Sequence, residues 1–204
     1  MRLNRCSAYL FPACIGFLGS ALFAPAQQAA PDWGLPQLMQ DLARVRSASA
    51  RFAERETVPM LNAPLMTSGT LRYVAPDYVR KTTILPMPED FVLDHDTVTL
   101  ANGSNHQTER FSLRQAPQIG GLVEGIRATL AGDLPALEQV YTVRFSGSQA
   151  KWQLLLQPKS PDVARFVEWI IIRGSDDRID AVDTASGNGG HTEMGISEDL
   201  SDAR

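Results

Sequence analysis

The side chains that could carry out acid–base or metal chemistry are few and scattered along the 204-residue chain. Its three histidines are His95, His106 and His191, and none has a partner at the spacing of an HxxxH zinc motif. His95 lies in "LDHDT" (Leu93–Thr97), which looks like a metal cluster, but adjacent side chains on a strand point to opposite faces. We therefore predict no metal site, and we expect His106 and His191 to be surface residues.

The motifs of nucleophilic and phosphate-handling enzymes are also missing from the sequence. There is no GxSxG nucleophile elbow. The glycine-rich "SGNGG" (Ser186–Gly190) lacks the helix and lysine that follow a phosphate-binding loop. The acidic residues are dispersed and suggest no pair for hydrolysis. The sequence predicts no catalytic residue and no cofactor, so we expect a protein that is not an enzyme.

The first thirty residues have the organisation of a secretory signal peptide. Arg2 and Arg5 precede an apolar run over Ser7–Ala24, and "APA" (Ala24–Ala26) fits the small-x-small cleavage rule. We predict a cleaved signal peptide over residues 1–26, one domain over 27–197 and a disordered acidic tail over 198–204. The alternative for the N-terminus is a retained membrane anchor.

The two cysteines bear on lipid attachment and on compartment. Cys6 and Cys14 both lie within the predicted signal peptide, so the mature chain would contain no thiol and no disulfide. The context of Cys14, "FPAC", lacks the aliphatic residue that usually stands three places before a lipidated cysteine. We therefore predict a soluble N-terminus and not a lipid-anchored one.

The charge of the mature chain argues against nucleic acid as a partner. Removal of two arginines with the signal peptide changes the formal charge from −4 to −6, since 17 basic residues then face 23 acidic ones. Nucleic-acid binding needs a basic surface, which this composition does not favour. No segment after residue 30 is long and apolar enough to span a membrane.

Two segments have the periodicity of amphipathic helices. Apolar residues at helical spacing from Leu35 to Val45 predict a helix over residues 34–47, with Pro36 in its first turn. A similar set from Ile119 to Leu130 predicts a helix over 117–131 that ends at Gly132. Short helical turns are expected over residues 133–140 and 160–166, the latter capped by Ser160.

From about residue 50 the apolar period changes to two, which is typical of antiparallel strands buried on one face. The phase is unclear over residues 78–85 and 179–184, and "EWIIIRG" (Glu168–Gly174) is apolar on both faces, so that strand could be central and covered twice. Turn signals separate about ten such strands. The side chains expected to point inward are Phe52, Leu71, Tyr73, Phe91, Leu93, Val98, Leu100, Phe111, Leu113, Tyr141, Val143, Phe145, Trp152, Leu154, Leu156, Trp169, Ile171, Met194 and Ile196.

About ten strands and only two long helices predict a mainly β fold in which the sheet must curl. The concave face would be lined by Leu, Ile, Phe, Tyr and Trp, and two helices could leave an apolar cavity beneath them. Such a cavity in a secreted protein is a candidate lipid site. The alternative is an ordinary core in which the helices fill the concavity completely.

The order and spacing of several motifs resemble one family. After the signal peptide and first helix come "SARFAERE" (Ser49–Glu56) and an "SGxLxY…P" hairpin (Ser68–Asp77). "LPMPED" (Leu85–Asp90), a helical insertion, "WQLLLQPK" (Trp152–Lys159) and "IIIRGSDDRIDAV" (Ile170–Val182) complete the pattern. The chain resembles the LolA-like periplasmic carriers that move lipoproteins or other acylated molecules from the inner to the outer membrane.

This resemblance implies an unclosed, strongly curved antiparallel β-barrel of ten to eleven strands with a helical lid over a hydrophobic cavity. It implies a periplasmic monomer that binds the acyl chains of lipoproteins or related lipids. An inner-membrane export complex and an outer-membrane acceptor are the implied partners. One alternative function is a periplasmic sensor of the same fold that detects mislocalised lipoproteins. Another is a small periplasmic enzyme of lipid metabolism.

The apolar pattern and the resemblance together give a set of candidate site residues. Two arginines after the first helix, Arg44 and Arg46, could latch the lid or could simply be solvated. Four methionines, Met39, Met60, Met66 and Met87, could offer an adaptable surface or could be ordinary core and loop residues. The lid candidates are Leu38, Met39, Leu42, Leu122 and Ile126, and the cavity-wall candidates are Leu71, Tyr73, Phe91, Leu93, Trp152, Leu154 and Trp169.

Overall fold

Eleven strands form one antiparallel sheet in the computed structural model, which describes residues 33–105 and 107–198. The strand order is β6-β5-β4-β3-β2-β1-β11-β10-β9-β8-β7, so the first and last strands of the chain pair at the centre. The strands are β1 Ser47–Thr57, β2 Leu65–Val74, β3 Tyr78–Leu85, β4 Glu89–Asp94, β5 Thr97–Asn102, β6 Gln107–Ser112, β7 Tyr141–Ser148, β8 Lys151–Pro158, β9 Trp169–Ser175, β10 Arg178–Ala185 and β11 His191–Glu198.

The sheet is curved but does not close. Its two outer strands, β6 and β7, are not paired with each other and are instead joined by the helical part of the chain. We refer to β1–β6 as the N-terminal half-sheet and to β7–β11 as the C-terminal half-sheet. The expected mainly β architecture, an unclosed and curved barrel with helices across it, is confirmed.

In the described ranges, four helices accompany the sheet: α1 Leu35–Leu42, α2 Pro117–Leu130, α3 Leu134–Val140 and α4 Pro161–Ala164. A 3₁₀ turn, Leu113–Gln115, leads into α2, so Leu113 lies outside the strand on which it was predicted. Each of the four helices has a proline in its first turn, where the missing N–H costs no hydrogen bond. The Oγ of Ser160 caps α4 by accepting a hydrogen bond from the Asp162 N–H, as expected.

Helix α1 is shorter than the sequence predicts. It ends at Leu42, and the next two residues form a turn in which the Arg44 and Val45 N–H groups donate to the Asp41 and Leu42 carbonyls. Ser47 then already pairs with β2. The apolar period that continues to Val45 is therefore overridden by strand pairing.

Helix α2 ends where the sequence places its end. Gly132 adopts a positive φ of 65°, its N–H donates to the Thr129 carbonyl, and the Asp133 N–H donates to the Ala128 carbonyl. This is the Schellman arrangement of hydrogen bonds, which favours glycine at that position. A side chain at Gly132 would also collide with the backbone of α1 at Met39, so this turn brings the two helices close together.

The core lies between the helices and the C-terminal half-sheet. We call the face of the sheet that meets the helices the inner face, and the opposite one the outer face. The buried members of this core, which we call the lid cluster, are Leu38, Met39, Leu42, Ala128, Leu137, Tyr141, Trp152, Leu154, Leu156, Val167, Ile170, Ile172 and Val182.

The strand phases are as predicted for most of the sheet, with one reversal. Ile170 and Ile172 pair with Leu156 and Leu154 and are buried with them on the inner face. Trp169 and Ile171, which the sequence predicts to point inward, therefore lie on the outer face. Since this strand is apolar on both faces, its alternation could not determine its phase.

The unclear phase over residues 179–184 has a structural cause. The pairing of β10 with β9 shifts between Ile179 and Ala181, which marks a β-bulge. Ile179 pairs with Gly174 and Val182 pairs with Ile172, so two residues three positions apart both face inward. Over residues 78–85, Val79, Lys81 and Thr83 share the inner face through their pairing with Tyr73, Leu71 and Gly69.

The predicted signal peptide lies outside the described residues, and so does the tail beyond Glu198, which itself ends β11. Among the helices that are described, none has the length and apolar character needed to cross a bilayer.

Candidate functional site

The inner face carries rows of apolar side chains on both half-sheets. In the N-terminal half-sheet one row runs through Tyr73, Val79, Leu93 and Val98, which are paired in that order. The next row runs through Leu71, Lys81, Phe91 and Leu100. Tyr73, Leu93 and Val98 are buried, whereas Leu71, Phe91 and Leu100 are only half-buried. The second row therefore keeps partly accessible apolar surface.

The structure places six of the seven predicted wall residues on the inner face. Leu71, Tyr73, Phe91 and Leu93 lie on the N-terminal half-sheet. Trp152 and Leu154 lie beneath the helices and are almost completely buried.

Trp169 was wrongly assigned to the wall. It lies on the outer face, where its ring is 5.5 Å from that of His191 at an interplanar angle of 58°. Ile170 and Ile172 occupy the inner positions of this strand, where the sequence predicts Trp169 and Ile171.

The five predicted lid residues all contact the C-terminal half-sheet core. Leu38, Met39 and Leu42 of α1 are almost completely buried in the lid cluster. Leu122 and Ile126 of α2 are half-buried and pack against it. The other three methionine candidates, Met60, Met66 and Met87, are exposed at the ends of hairpins.

Helix α2 approaches the sheet through its glycines, which the sequence interpretation did not identify as important. A Cβ at Gly125 would lie 3.0 Å from Tyr141 Cε2 and 3.2 Å from Ile170 Cδ1. A Cβ at Gly121 would lie 2.5 Å from Val163 Cγ1. The Gly121 contact is closer than a side chain tolerates, and the Gly125 contacts are tighter than most side chains make, so glycine sets the distance between α2 and the surface beneath it.

Tyr141 connects this helix to β7 by a buried hydrogen bond. Its hydroxyl donates to the Gly121 carbonyl at 2.6 Å, and the residue has no exposed surface. Burial raises the pKa of Tyr141 well above its usual value, so the hydroxyl remains a donor at all physiological pH values.

The other inner-face tyrosine has a different environment. Tyr73 is 4% exposed, and its hydroxyl has no hydrogen-bond partner among the described residues. Burial raises its pKa, opposed mainly by the positive charge of Arg127 on α2. Arg127 itself donates from Nε and Nη2 to the carboxylate of Glu124 at 3.0 and 2.5 Å. Helix α2 therefore places Arg127, already paired with Glu124, near Tyr73 of the N-terminal half-sheet.

Both arginines proposed as lid latches, Arg44 and Arg46, are exposed. Arg44 is exposed, and its guanidinium pairs with Asp41 of the same chain turn at 2.8 Å. That local pair agrees with the interpretation of Arg44 as a solvated side chain. Arg46 is also exposed, and its backbone carbonyl accepts a hydrogen bond from Ala75.

A charged pair interrupts the apolar inner face, and the sequence interpretation missed it. Lys81 Nζ donates to Glu54 Oε2 and lies 4.9 Å from the centre of the Phe52 ring. Thr67 Oγ1 donates to the same carboxylate oxygen at 3.3 Å. The side chains of Lys81 and Glu54 are only 29% and 12% exposed. They are 27 positions apart in the sequence, so only the sheet register reveals the pair.

Exposed apolar side chains gather at one end of the N-terminal half-sheet. The β1–β2 and β3–β4 hairpins are neighbours because β2 pairs with β3. Their ends carry no charged residue from Val58 to Thr67 or from Thr82 to Pro88. Contiguous exposed apolar surface commonly marks an interaction site. The exposed side chains are Met60, Leu61, Leu65, Met66, Ile84, Leu85 and Met87.

The two described histidines, His95 and His191, lie at least partly at the surface. His95 is exposed in the β4–β5 turn, and the hydrogen bond with Asp94 at 2.8 Å raises its pKa. His191 contacts Trp169, while His106 lies outside the described residues. Within the described part of the chain, no group of three or more metal-ligating side chains comes together.

Solved structures resemble this fold at low sequence identity. A LolA superfamily protein from Nitrosomonas europaea is 12% identical with a TM-score of 0.44, covering 84% of this chain and 96% of its own. An outer membrane lipoprotein-sorting protein domain from Vibrio parahaemolyticus is 10% identical with a TM-score of 0.44, at 80% and 89% coverage. The Pseudomonas aeruginosa MucA/MucB complex matches at 10% identity and a TM-score of 0.42, at 83% and 59% coverage.

No curated protein sequence matches this chain significantly. The family model described as outer membrane lipoprotein carrier protein LolA-like matches residues 25–201, which is most of the chain. The chain belongs to the LolA-like outer membrane lipoprotein carrier family.

Proposed function

We propose that this protein is a periplasmic carrier that binds the acyl chains of lipoproteins or related acylated lipids on its inner face. It would move them from an inner-membrane export complex to an outer-membrane acceptor. Membership of the LolA-like family supports a lipid- or lipoprotein-binding protein of periplasmic type. The identity of cargo and partners is part of the proposal.

One observation carries the proposal. The apolar inner face continues from the helix-covered C-terminal half-sheet to the partly accessible row that contains Leu71, Phe91 and Leu100. An acyl chain that enters along this row would meet the buried apolar stripe of α1 as it moves inward. Displacement of α1 together with α2, whose end at Gly132 lies against the end of α1, would then extend the binding surface.

The magnitudes favour such an exchange. Burial of Leu38, Met39 and Leu42 stabilises the closed lid by roughly 5–9 kcal/mol, at about 1.5–3 kcal/mol per side chain. Burial of a 16-carbon chain contributes roughly 12 kcal/mol at about 0.8 kcal/mol per methylene. One chain can therefore offset displacement of α1 with roughly 3–7 kcal/mol remaining, part of which is taken up by the loss of the α2 contacts. A carrier needs such a modest surplus, because much tighter binding would prevent release.

Transfer between two vesicle populations tests the proposal directly. Protein that starts at residue 27 is added to donor vesicles containing a fluorescent acyl lipid and to acceptor vesicles without it. A carrier accelerates the appearance of the lipid in the acceptors in proportion to protein concentration. A sensor of the same fold would bind the lipid without accelerating its transfer. Absence of binding of any acyl probe at high micromolar concentration would refute both functions.

A further inference from the structure

We infer that the acyl ligand of this inner face carries a zwitterionic head, with its anionic oxygen on Lys81 and its cationic group among the carboxylates of Glu54 and Glu89. This inference rests on the proposed function and specifies the chemical class of its ligand. It concerns the point where the apolar surface of the N-terminal half-sheet becomes polar.

The sheet register places Lys81 at that boundary. The row on one side of it is apolar and contains Tyr73, Val79, Leu93 and Val98. The row on its other side contains Thr83, Glu89 and Asn102. An amphiphile that lies along this gradient would place its acyl chain on the apolar rows and its head at Lys81.

The chemistry of Lys81 suits an anionic oxygen. Its ammonium group has three N–H donors, and a single carboxylate oxygen, Glu54 Oε2, accepts from it among the described residues. The side chain is 29% exposed, so the group is accessible although partly desolvated. The Phe52 ring and the cross-strand neighbours Leu71 and Phe91 exclude water from part of its surroundings. A low local dielectric strengthens a charge-assisted hydrogen bond.

The neighbouring carboxylates argue against a purely anionic head. Glu54 forms an ion pair with Lys81. Glu89 shares the inner face of β4 with Phe91 and lies opposite Thr83, two positions from Lys81 on β3. Glu109 pairs with Leu100 in the row of Lys81 itself. Lys81 is the cation of this part of the sheet, and the nearby Arg127 of α2 is already paired with Glu124, so the three carboxylates leave a negative excess that repels a simple anion. A head with a phosphate beside an ammonium group can satisfy Lys81 and the carboxylates together.

The position of this ion pair in an otherwise apolar part of the sheet supports a role in binding. A buried ion pair is commonly no more stable than well-packed apolar residues of the same size. The fold alone therefore does not require charges at Glu54 and Lys81, and we expect the pair to serve ligand binding.

Calorimetric titration with three single-chain lipids tests the inference. Lysophosphatidylethanolamine is the zwitterion, palmitate the anion and monopalmitoylglycerol the neutral lipid, all with 16-carbon chains and all below their micelle concentrations. We expect the unaltered protein to bind the zwitterion at least tenfold more tightly than the other two. Equal affinities for the three lipids, or tightest binding of palmitate, would overturn the inference while leaving the carrier function intact. Failure of all three lipids to bind would instead refute the carrier function itself.

Two variants assign the effect to the charged groups. Lys81→Met should abolish the preference, so that the variant binds the zwitterion no more tightly than the neutral lipid. Because this change leaves Glu54 unpaired, the double variant Lys81→Met with Glu54→Gln repeats the measurement without an unpaired buried charge. Lys151→Met, at an exposed lysine of β8, is the matched control and should change nothing. An equal loss of affinity for zwitterionic and neutral lipids in both Lys81 variants would contradict the assignment.

Discussion

The hydrogen bond between Tyr141 and Gly121 should oppose lid opening, so its removal should strengthen acyl binding. The Tyr141 hydroxyl donates to the Gly121 carbonyl of α2 at 2.6 Å in a fully buried position. Tyr141→Phe removes only this hydroxyl and retains the ring that contacts Gly125. The bond exists when α2 lies on β7 and is lost when the helix moves away. The substitution therefore destabilises the closed form selectively.

The expected size follows from the energy of one hydrogen bond. A neutral hydrogen bond contributes about 1 kcal/mol net, and an unmade buried one costs somewhat more. A shift of about 1–1.4 kcal/mol toward the open form raises its population roughly five- to tenfold. If acyl ligands bind the open form and that form is a minor one, the apparent Kd falls by the same factor.

Two assays separate this effect from simple damage. Titration of monopalmitoylglycerol gives the affinity, and thermal unfolding without lipid gives the stability. We expect Tyr141→Phe to melt at a lower temperature than the unaltered protein and yet to bind the lipid roughly five to ten times more tightly. Unchanged or weaker binding together with a lower melting temperature would refute the idea that α2 must move for lipid to enter.

Three further outcomes follow from the same contacts. Gly125→Leu should push α2 away from Tyr141 and Ile170, which lowers the melting temperature by roughly 2–12 °C and raises the affinity for lipid. A lower lipid affinity would contradict the lid geometry. Trp169→Ala, on the outer face, should change lipid affinity less than about twofold. A tenfold loss of affinity would mean that Trp169 contacts the lipid after all. Arg80 donates from Nε and Nη2 to the Asp90 carboxylate and lowers the pKa of that group. The contribution of Asp90 to the free energy of unfolding is therefore complete above about pH 4 and is lost as the pH falls through the lowered pKa. Asp90→Asn should therefore be less stable than the unaltered protein at pH 7, with a gap that closes in acid; a gap independent of pH would contradict this.

Where one face of a strand is polar, alternation in the sequence predicts its orientation correctly. Tyr73, Leu93 and Trp152 all have polar neighbours in the chain, and all three point inward as expected. The turn residues and the end of α2 at Gly132 are also predictable, since their conformations depend on local chemistry.

The errors arise where local pattern does not determine the outcome. β9 is apolar on both faces, so only its pairing with Leu154 and Leu156 fixes which isoleucines point inward. A bulge near Ile179 interrupts the period of two in β10. Helix α1 stops early because Ser47 joins the sheet, a long-range effect that helical periodicity cannot show.

The least predictable parts of the site depend on contacts between distant segments. Glu54 and Lys81 come together only through the β1–β2–β3 register, and nothing in either local sequence distinguishes them from solvent-exposed charges. The roles of Gly121 and Gly125 require knowledge of what lies beneath α2. Sequence therefore predicts the composition of the inner face better than its charged and closely packed details.

A reversible cross-link between α2 and α4 tests most directly whether the lid must open. A Cβ built at Gly121 lies 3.6 Å from Val163 Cβ, within the range that a disulfide requires. Because both native cysteines, Cys6 and Cys14, precede residue 27, Gly121→Cys with Val163→Cys introduces the only thiols of the shortened protein. The lipid affinity of this double variant is measured first oxidised and then reduced. We predict at least a tenfold loss of affinity in the oxidised protein and its recovery on reduction, whereas equal binding in both states would contradict a carrier that binds acyl chains by displacing its helices.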